Sequence, residues 1–135
     1  MNERILAFDV GGTQIKFGVV DPMGTVSHAR QVATQAGRGG AAMLSALLDI
    51  ARPLIKQHGL RGIAFSTLGI IERESGTVRG AADAIADYLG QSPKRLFESA
   101  FGLPVVVEND VNCVAVAEGW RGAAQGVANY IALTL

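Results

Sequence analysis

Two acids, one near each end of the chain, sit where the local residue types favour ligand binding. Asp9 precedes a glycine pair in Asp9-Val10-Gly11-Gly12-Thr13-Gln14-Ile15-Lys16. Glycines let the backbone turn where a Cβ would clash. A turn of this kind presents N–H groups without side chains in the way, a concave donor surface suited to phosphate oxygens. Thr13 and Gln14 add side-chain donors, and Asp9 is placed to hold Mg²⁺ through water, as that ion prefers. A plain hairpin would share the glycine turn, but it needs no acid at the end of a buried strand, where an unpaired charge is costly. Lys16 either steadies a phosphate or faces solvent.

The second acid lies in Glu108-Asn109-Asp110-Val111-Asn112, where an apolar strand gives way to a helix. That is the edge at which open α/β sheets hold ligands. Any one of the three polar residues could cap the helix, and three exceed that need. The positive end of the helix dipole favours an anion at Asp110. A carboxylate there can accept a hydrogen bond from an incoming hydroxyl and take its proton during phosphoryl transfer, where orienting the nucleophile counts for more than the strength of the base. Asn109 offers a donor and an acceptor to a vicinal diol.

The elements that must position these groups follow from pattern. Alternating apolar residues predict strands over about 4–10 and 14–20, with a turn at Asp21-Pro22-Met23-Gly24 and a third strand over 25–34 completing an antiparallel meander. His28 reads as an exposed strand residue. After a glycine-rich loop at 35–40, Met43, Leu44, Leu47, Leu48, Ala51, Leu54 and Ile55 recur at helical spacing up to His58-Gly59, and the apolar face stays in phase across Pro53, so one helix is expected. A buried strand over 60–67 runs into Ser66-Thr67-Leu68-Gly69 and lies parallel to the first strand by the crossover rule. A small hairpin spans 70–80, and 81–90 is a loop or a short helical turn. Ser92-Pro93 opens a helix that Gly102 stops. Pro104 to Glu108 is a second parallel strand, and a helix bearing Val111, Val114, Ala115 and Glu118 on one face fades at 119–122. A last strand is expected over 128–135. Three meander strands leading into parallel strands with helices between them predict one mixed α/β domain.

Bulk properties narrow the function classes. The 135 residues are 49% apolar and 18% charged, enough for one buried core and too few for two ordinary domains. Twelve basic and twelve acidic residues leave a net charge of zero, which lacks the electrostatic footprint of a nucleic-acid binder. No apolar run reaches membrane-spanning length, no leader precedes the first strand, and a lone cysteine cannot form an internal disulfide, so the cytoplasm is the expected compartment. Cys113 has no basic neighbour to activate it and reads as a small buried core thiol. Gly122 to Gly126 has a Gly-x-x-x-Gly spacing but is too polar for a membrane dimer face.

The glycine turn lacks the third glycine of a Rossmann fingerprint and the Gly-Lys-Ser/Thr ending of a P-loop. It resembles the first phosphate motif of the sugar kinase, Hsp70 and actin superfamily. Asp9-x-Gly11-Gly12-Thr13, then Ser66-Thr67-x-Gly69, then Phe101-Gly102-Leu103-Pro104-Val105 leading into Glu108-Asn109-Asp110-x-Asn112 and Glu118 together resemble the N-terminal lobe of the ROK family (repressors, open reading frames and sugar kinases). The resemblance spans essentially the whole chain. It implies an actin-like ATPase (ribonuclease H-like) fold and ATP-dependent phosphorylation of a hexose or hexose derivative. Gly11, Gly12, Thr13 and Gln14 would touch the ATP phosphates, and Asp9 would hold Mg²⁺ through water. Gly69, Asn109 and Asp110 would face the sugar, with Asp110 as the base.

Leu68 stands where the family usually has Pro or Gly, and Ala84-Ile85-Ala86-Asp87-Tyr88 departs from the glucokinase-like pattern toward members acting on β-glucosides or other modified hexoses. Asp83 is either a sugar contact or a surface acid. Family kinases continue into a second lobe with a further phosphate loop, a Glu-x-Gly-His motif and often a zinc site. Residues 1–135 therefore read as a single N-terminal lobe, with the C-terminal lobe and any zinc site absent, little turnover alone, and an exposed strand edge that favours pairing with another copy. The alternative within the resemblance is a non-catalytic, sugar-sensing regulator, which would carry a DNA-binding segment ahead of this lobe.

Overall fold

The structure, a computed structural model, describes residues 3–135. Its elements are β1 (Ile5–Val10), β2 (Gln14–Val20), β3 (Val26–Ala33), α1 (Gly40–His58), β4 (Ile63–Thr67), β5 (Ile70–Glu72), β6 (Thr77–Gly80), α2 (Pro93–Phe101), β7 (Val105–Asn109) and α3 (Asp110–Arg121). Five strands form one sheet in the order β3-β2-β1-β4-β7, and β5 and β6 form a separate hairpin. β1, β2 and β3 are antiparallel, whereas β4 and β7 run parallel to β1.

Alternation decides which face is buried. Leu6, Phe8 and Val10 of β1, Ile15, Phe17 and Val19 of β2, Ile63 and Phe65 of β4, and Val105 and Val107 of β7 join one core with Met43, Leu44, Leu47 and Ala51 of α1 and Phe97 of α2. Phe65 is its centre: it stacks on Phe8 at 5.0 Å between ring centroids and meets Phe97 edge-on at 4.8 Å. Each such ring contributes about 2–3 kcal/mol by burial. The sheet's other face carries Ala7, Asp9, Lys16, Gly18, Val20, Ala64, Ser66, Val106 and Glu108.

The helix ends follow the expected chemistry. α1 runs unbroken through Pro53 and stops at Gly59, whose φ of 58° is left-handed and whose N–H donates to the Ile55 carbonyl. Ser92 caps α2, its Oγ accepting from the Arg95 N–H at 3.1 Å. The 81–90 segment is irregular and anchored by Tyr88, a fully buried side chain whose hydroxyl lies 3.0 Å from that of Thr67. Burial pushes the Tyr88 phenol up to about 12, against the opposing effect of the Thr67 hydrogen bond.

His28 is an exposed strand residue, as expected, and its ring lies 4.3 Å from that of His58, at a place where β3 slips register against β2 and His28 takes a φ of 53°. Two expectations are corrected. The predicted strand over 60–67 begins only at Ile63. The last strand, 128–135, does not form. A strand needs a neighbouring edge to complete its hydrogen bonds. Instead the turn after α3 lays this segment along the helix, with the Tyr130 hydroxyl donating to the Ala115 carbonyl at 2.7 Å.

Candidate functional site

Register places a row of polar side chains across the carboxyl ends of the parallel strands. Asp9 of β1 is opposite Ser66 of β4, and Ser66 is opposite Glu108 of β7. On the antiparallel side Lys16 is opposite Asp9. Because all these positions share one face of the pleat, four polar side chains line up outside the core. The Ser66 hydroxyl donates to Asp9 Oδ1 at 2.9 Å. Asp9 and Asp110 line one cleft of about 500 Å³ with Gly11, Ser66, Cys113 and Thr134. β4 runs between β1 and β7, and Ser66 occupies the position between the two acids.

The glycine turn is held from behind. The Gly11 N–H donates to the Gln14 carbonyl at 3.0 Å, while buried Thr34 donates its hydroxyl to the Gly11 carbonyl at 2.7 Å and its N–H to the Thr13 carbonyl at 2.9 Å. Close approach explains both glycines: a Cβ on Gly11 would lie 2.9 Å from the Gln14 carbonyl oxygen, and one on Gly12 would lie 3.1 Å from the Ala84 Cβ. Among the described hydrogen bonds, none uses the N–H of Gly12 or Thr13. Thr13, Gln14 and Lys16 are exposed, so the open side of the turn is an array of donors beside the Asp9 carboxylate. Thr34 and Ser66 went unassigned by spacing, because each meets its partner only through sheet pairing.

The junction of β7 and α3 divides its polar groups sharply. Asn109 is the helix cap: its Oδ1 accepts from the N–H of Val111 at 3.0 Å and of Asn112 at 3.3 Å, and its Nδ2 donates to the Gly69 carbonyl at 2.8 Å. Its acceptor is therefore engaged within the protein, and one amide proton remains for a ligand. Glu108 is fully engaged. Its Oε1 accepts from the Asn109 N–H at 2.8 Å and Asn112 Nδ2 at 3.0 Å, and its Oε2 from Arg73 Nε and Nη2 at 3.0 and 2.7 Å. Partial burial would raise the Glu108 carboxyl, but the hydrogen bonds from Asn112, the Asn109 N–H and Arg73 outweigh it and hold the group below the usual carboxylate range. Asp110, half-buried, accepts the Val111 N–H at 2.9 Å on Oδ1. Its second oxygen enters none of the described hydrogen bonds, so of the three it is the one open to a hydroxyl in the cleft.

Gly69 is buried with a φ of +105°, and a Cβ there would lie 3.1 Å from the Gly80 carbonyl oxygen. The expected core cysteine is in fact half-buried and lines the cleft. Burial pushes the Cys113 thiol up, and the charges of Glu108, Asp9 and Asp110 push it further, against a hydrogen bond from Ser66. The thiol thus stays protonated beside three carboxylates. Ala84 touches Gly12 while Ile85 and Tyr88 are buried, so the segment that departs from the glucokinase-like pattern is a wall behind the turn. Asp83 is exposed.

The family model described as ROK family matches residues 5–135. Among curated relatives, a β-glucoside kinase from Klebsiella pneumoniae is 38% identical over 133 residues, covering 98% of this chain and 43% of the relative. A glucokinase from Halalkalibacterium halodurans is 30% identical over 141 residues, covering 100% and 42%. Among solved structures, a ROK family glucokinase from Streptomyces griseus in complex with glucose and AMPPNP superposes with a TM-score of 0.79 at 32% identity, covering 91% of this chain and 38% of that one. The chain thus spans about two fifths of the length of the curated relatives it matches. The mixed sheet with flanking helices is the actin-like ATPase fold of these kinases.

Proposed function

Because this chain belongs to the ROK family, we propose that it forms the first lobe of an ATP-dependent sugar kinase acting on a hexose or hexose derivative. The observation that carries the reading is the convergence of Asp9 and Asp110 on one cleft. Gly11, Gly12, Thr13 and Gln14 receive the phosphates of ATP, with the N–H groups of Gly12 and Thr13 and the side chains of Thr13 and Gln14 as donors. Lys16, beside Asp9 in the sheet, adds a positive charge at the rim.

The donor set also fits Mg²⁺ in the way that ion is usually held. Among the described residues no three acids, histidines or cysteines converge as a cage, and a single carboxylate plus the substrate's own oxygens and water is what a phosphate-bound Mg²⁺ takes. Asp9, oriented by the Ser66 hydroxyl, is the residue that would hold it. Bound there, the ion would neutralise charge on the phosphates.

On the acceptor side, the free amide proton of Asn109 orients a sugar hydroxyl. Asp110 accepts a hydrogen bond from the hydroxyl that attacks and takes its proton as the phosphoryl group transfers. Gly69, bonded to Asn109 through its carbonyl, brings backbone close to the ring without a side chain in the way. Closure of a second lobe over ATP would exclude water, so turnover is expected of the longer protein and not of these 135 residues alone. The likeness of segment 84–88 to members acting on β-glucosides or other modified hexoses, together with the 38% identity to a β-glucoside kinase, supports such an acceptor over plain glucose.

The test is ADP formation by the full-length protein across glucose, N-acetylhexosamines and β-glucosides, beside Asp110→Asn. The variant should lose about 10²- to 10⁴-fold in kcat while calorimetry still registers the sugar. Undiminished sugar-dependent turnover in the variant would reject Asp110 as the base. No hexose-dependent ADP from the parent protein, with sugar binding retained, would favour the non-catalytic sugar-sensing branch.

A further inference from the structure

β5 follows β4 directly through Leu68 and Gly69, so whatever holds β5 also holds Gly69. Two consecutive residues of β7 grip it at its two ends. At the near end Asn109 Nδ2 donates to the Gly69 carbonyl at 2.8 Å. Just past the far end, Arg73 places Nε and Nη2 on Glu108 Oε2 at 3.0 and 2.7 Å. The same Glu108 accepts the Asn109 N–H on its other oxygen, so the carboxylate links the hairpin to the backbone from which Asp110 enters α3.

The hairpin's remaining ties go elsewhere. Ser92 Oγ donates to the Ser75 carbonyl at 2.7 Å and Lys94 Nζ to the Glu74 carbonyl at 2.9 Å, from the cap and first turn of α2 to the hairpin turn, and Val78 of β6 exchanges backbone bonds with Gln91 and Gly90. Arg79 bonds back to Glu72 within the hairpin. Removing Arg73 therefore leaves the hairpin folded and fastened at its tip and along β6, while the far end of β5 loses its tie to β7.

We propose that Arg73 and Glu108 form an ion-pair latch that sets the position of the Gly69 loop relative to Asp110, making both of them positioning residues for the acceptor sugar. This rests on the sugar-kinase reading above. The Arg73 side chain is 82% exposed and that of Glu108 24%, so the latch stands in water and weakens as salt screens it. A hexose carries no charge, and its apparent affinity has no Coulombic contribution of its own. Salt sensitivity in its KM at saturating ATP would therefore report charges within the protein.

The experiment measures the hexose KM and the ATP KM of the full-length protein at low and high salt, for the parent, Arg73→Ala and Arg73→Lys. Backbone hydrogen exchange over residues 69–80 is followed in parallel. The latch predicts a parental sugar KM that rises with salt. Arg73→Ala should raise the sugar KM roughly three- to tenfold, lose the salt dependence, leave the ATP KM unchanged and speed exchange over 69–80. Arg73→Lys, which keeps the charge, should restore much of the affinity. A sugar KM in Arg73→Ala within about twofold of the parent, with the parent turning over normally, would overturn the latch and leave the kinase reading standing. Absence of hexose-dependent ADP in the parent would instead defeat the kinase reading. Exchange over 69–80 then decides the latch as a structural link, and rates unchanged by Arg73→Ala would overturn it.

Discussion

Asp9 and Asp110 differ from the other acids near them in having an oxygen left over. Glu108 has four donors on its two oxygens, whereas Asp9 and Asp110 each accept one described bond, on Oδ1. That difference marks Glu108 as held within the protein and fits the chemical roles proposed for the other two. Gly69 makes a prediction at this scale. Any L side chain at a φ of +105° is strained, and its Cβ would press on the Gly80 carbonyl and Val78. Gly69→Ala should therefore cost about 1–3 kcal/mol, measured as a lowered denaturant midpoint at constant slope, and should disturb the bond from Asn109. The two acids and the glycine turn were legible in the sequence because each motif is a short local run. Their supports were not. Thr34 reaches Gly11 across 23 residues, Arg73 reaches Glu108 across 35, and Ser66 reaches Asp9 across 57. Pairing over such separations is settled by the sheet and not by neighbouring sequence.

At the scale of elements, the C-terminus of α1 and the bulge of β3 meet through His58 and His28. Burial of the His58 ring lowers its pKa from the ordinary 6.5, and the nearby charges of His28 and Arg4 lower it further. The folded state then binds a proton at His58 less readily than the unfolded chain does. This contribution to stability is complete above pH 6.5 and is lost as the pH falls through the window below that value. Thermal melts of the chain from pH 7.5 downward should show this decline, and His28→Ala should make it shallower. Equal slopes in the two proteins would remove His28 from the account. The bulge that brings the rings together was invisible to alternation: a strand read from its pattern carries no sign of where its partner slips register. α1 was legible, Pro53 included, because an apolar face that stays in phase over several turns is a property of the segment itself.

At the scale of the whole molecule, among the described residues the core with α1 and α2 covers one face of the sheet, and α3 lies at the carboxyl end of the other. Ala7, Gly18, Val20, Val26, Ala64 and Val106 line an apolar hollow of about 370 Å³ on the other face, and Val26 and Val106 are 57% and 65% exposed. Exposed apolar surface gathered in one patch favours association. The 135-residue chain by itself is expected to sediment as a concentration-dependent mixture of species, and Val106→Lys should shift it toward monomer. A single monomeric species at every concentration would contradict this. None of the helices among the described residues is long and apolar enough to cross a membrane.

From the sequence by itself came the order of strands and helices up to α3, the direction of the parallel strands, the glycine turn and the acid heading the last helix. Each depends on residue periodicity or on a run of a few residues, and both are written in the chain. Tertiary structure alone decided that β4 stands between the two acids and that Glu108 is bound to Arg73. It also decided that Cys113 lies on the cleft and that residues 128–135 follow α3 instead of forming a strand. Those outcomes depend on which backbone edges are open and which side chains meet across the pleat, and neither exists until the sheet is assembled.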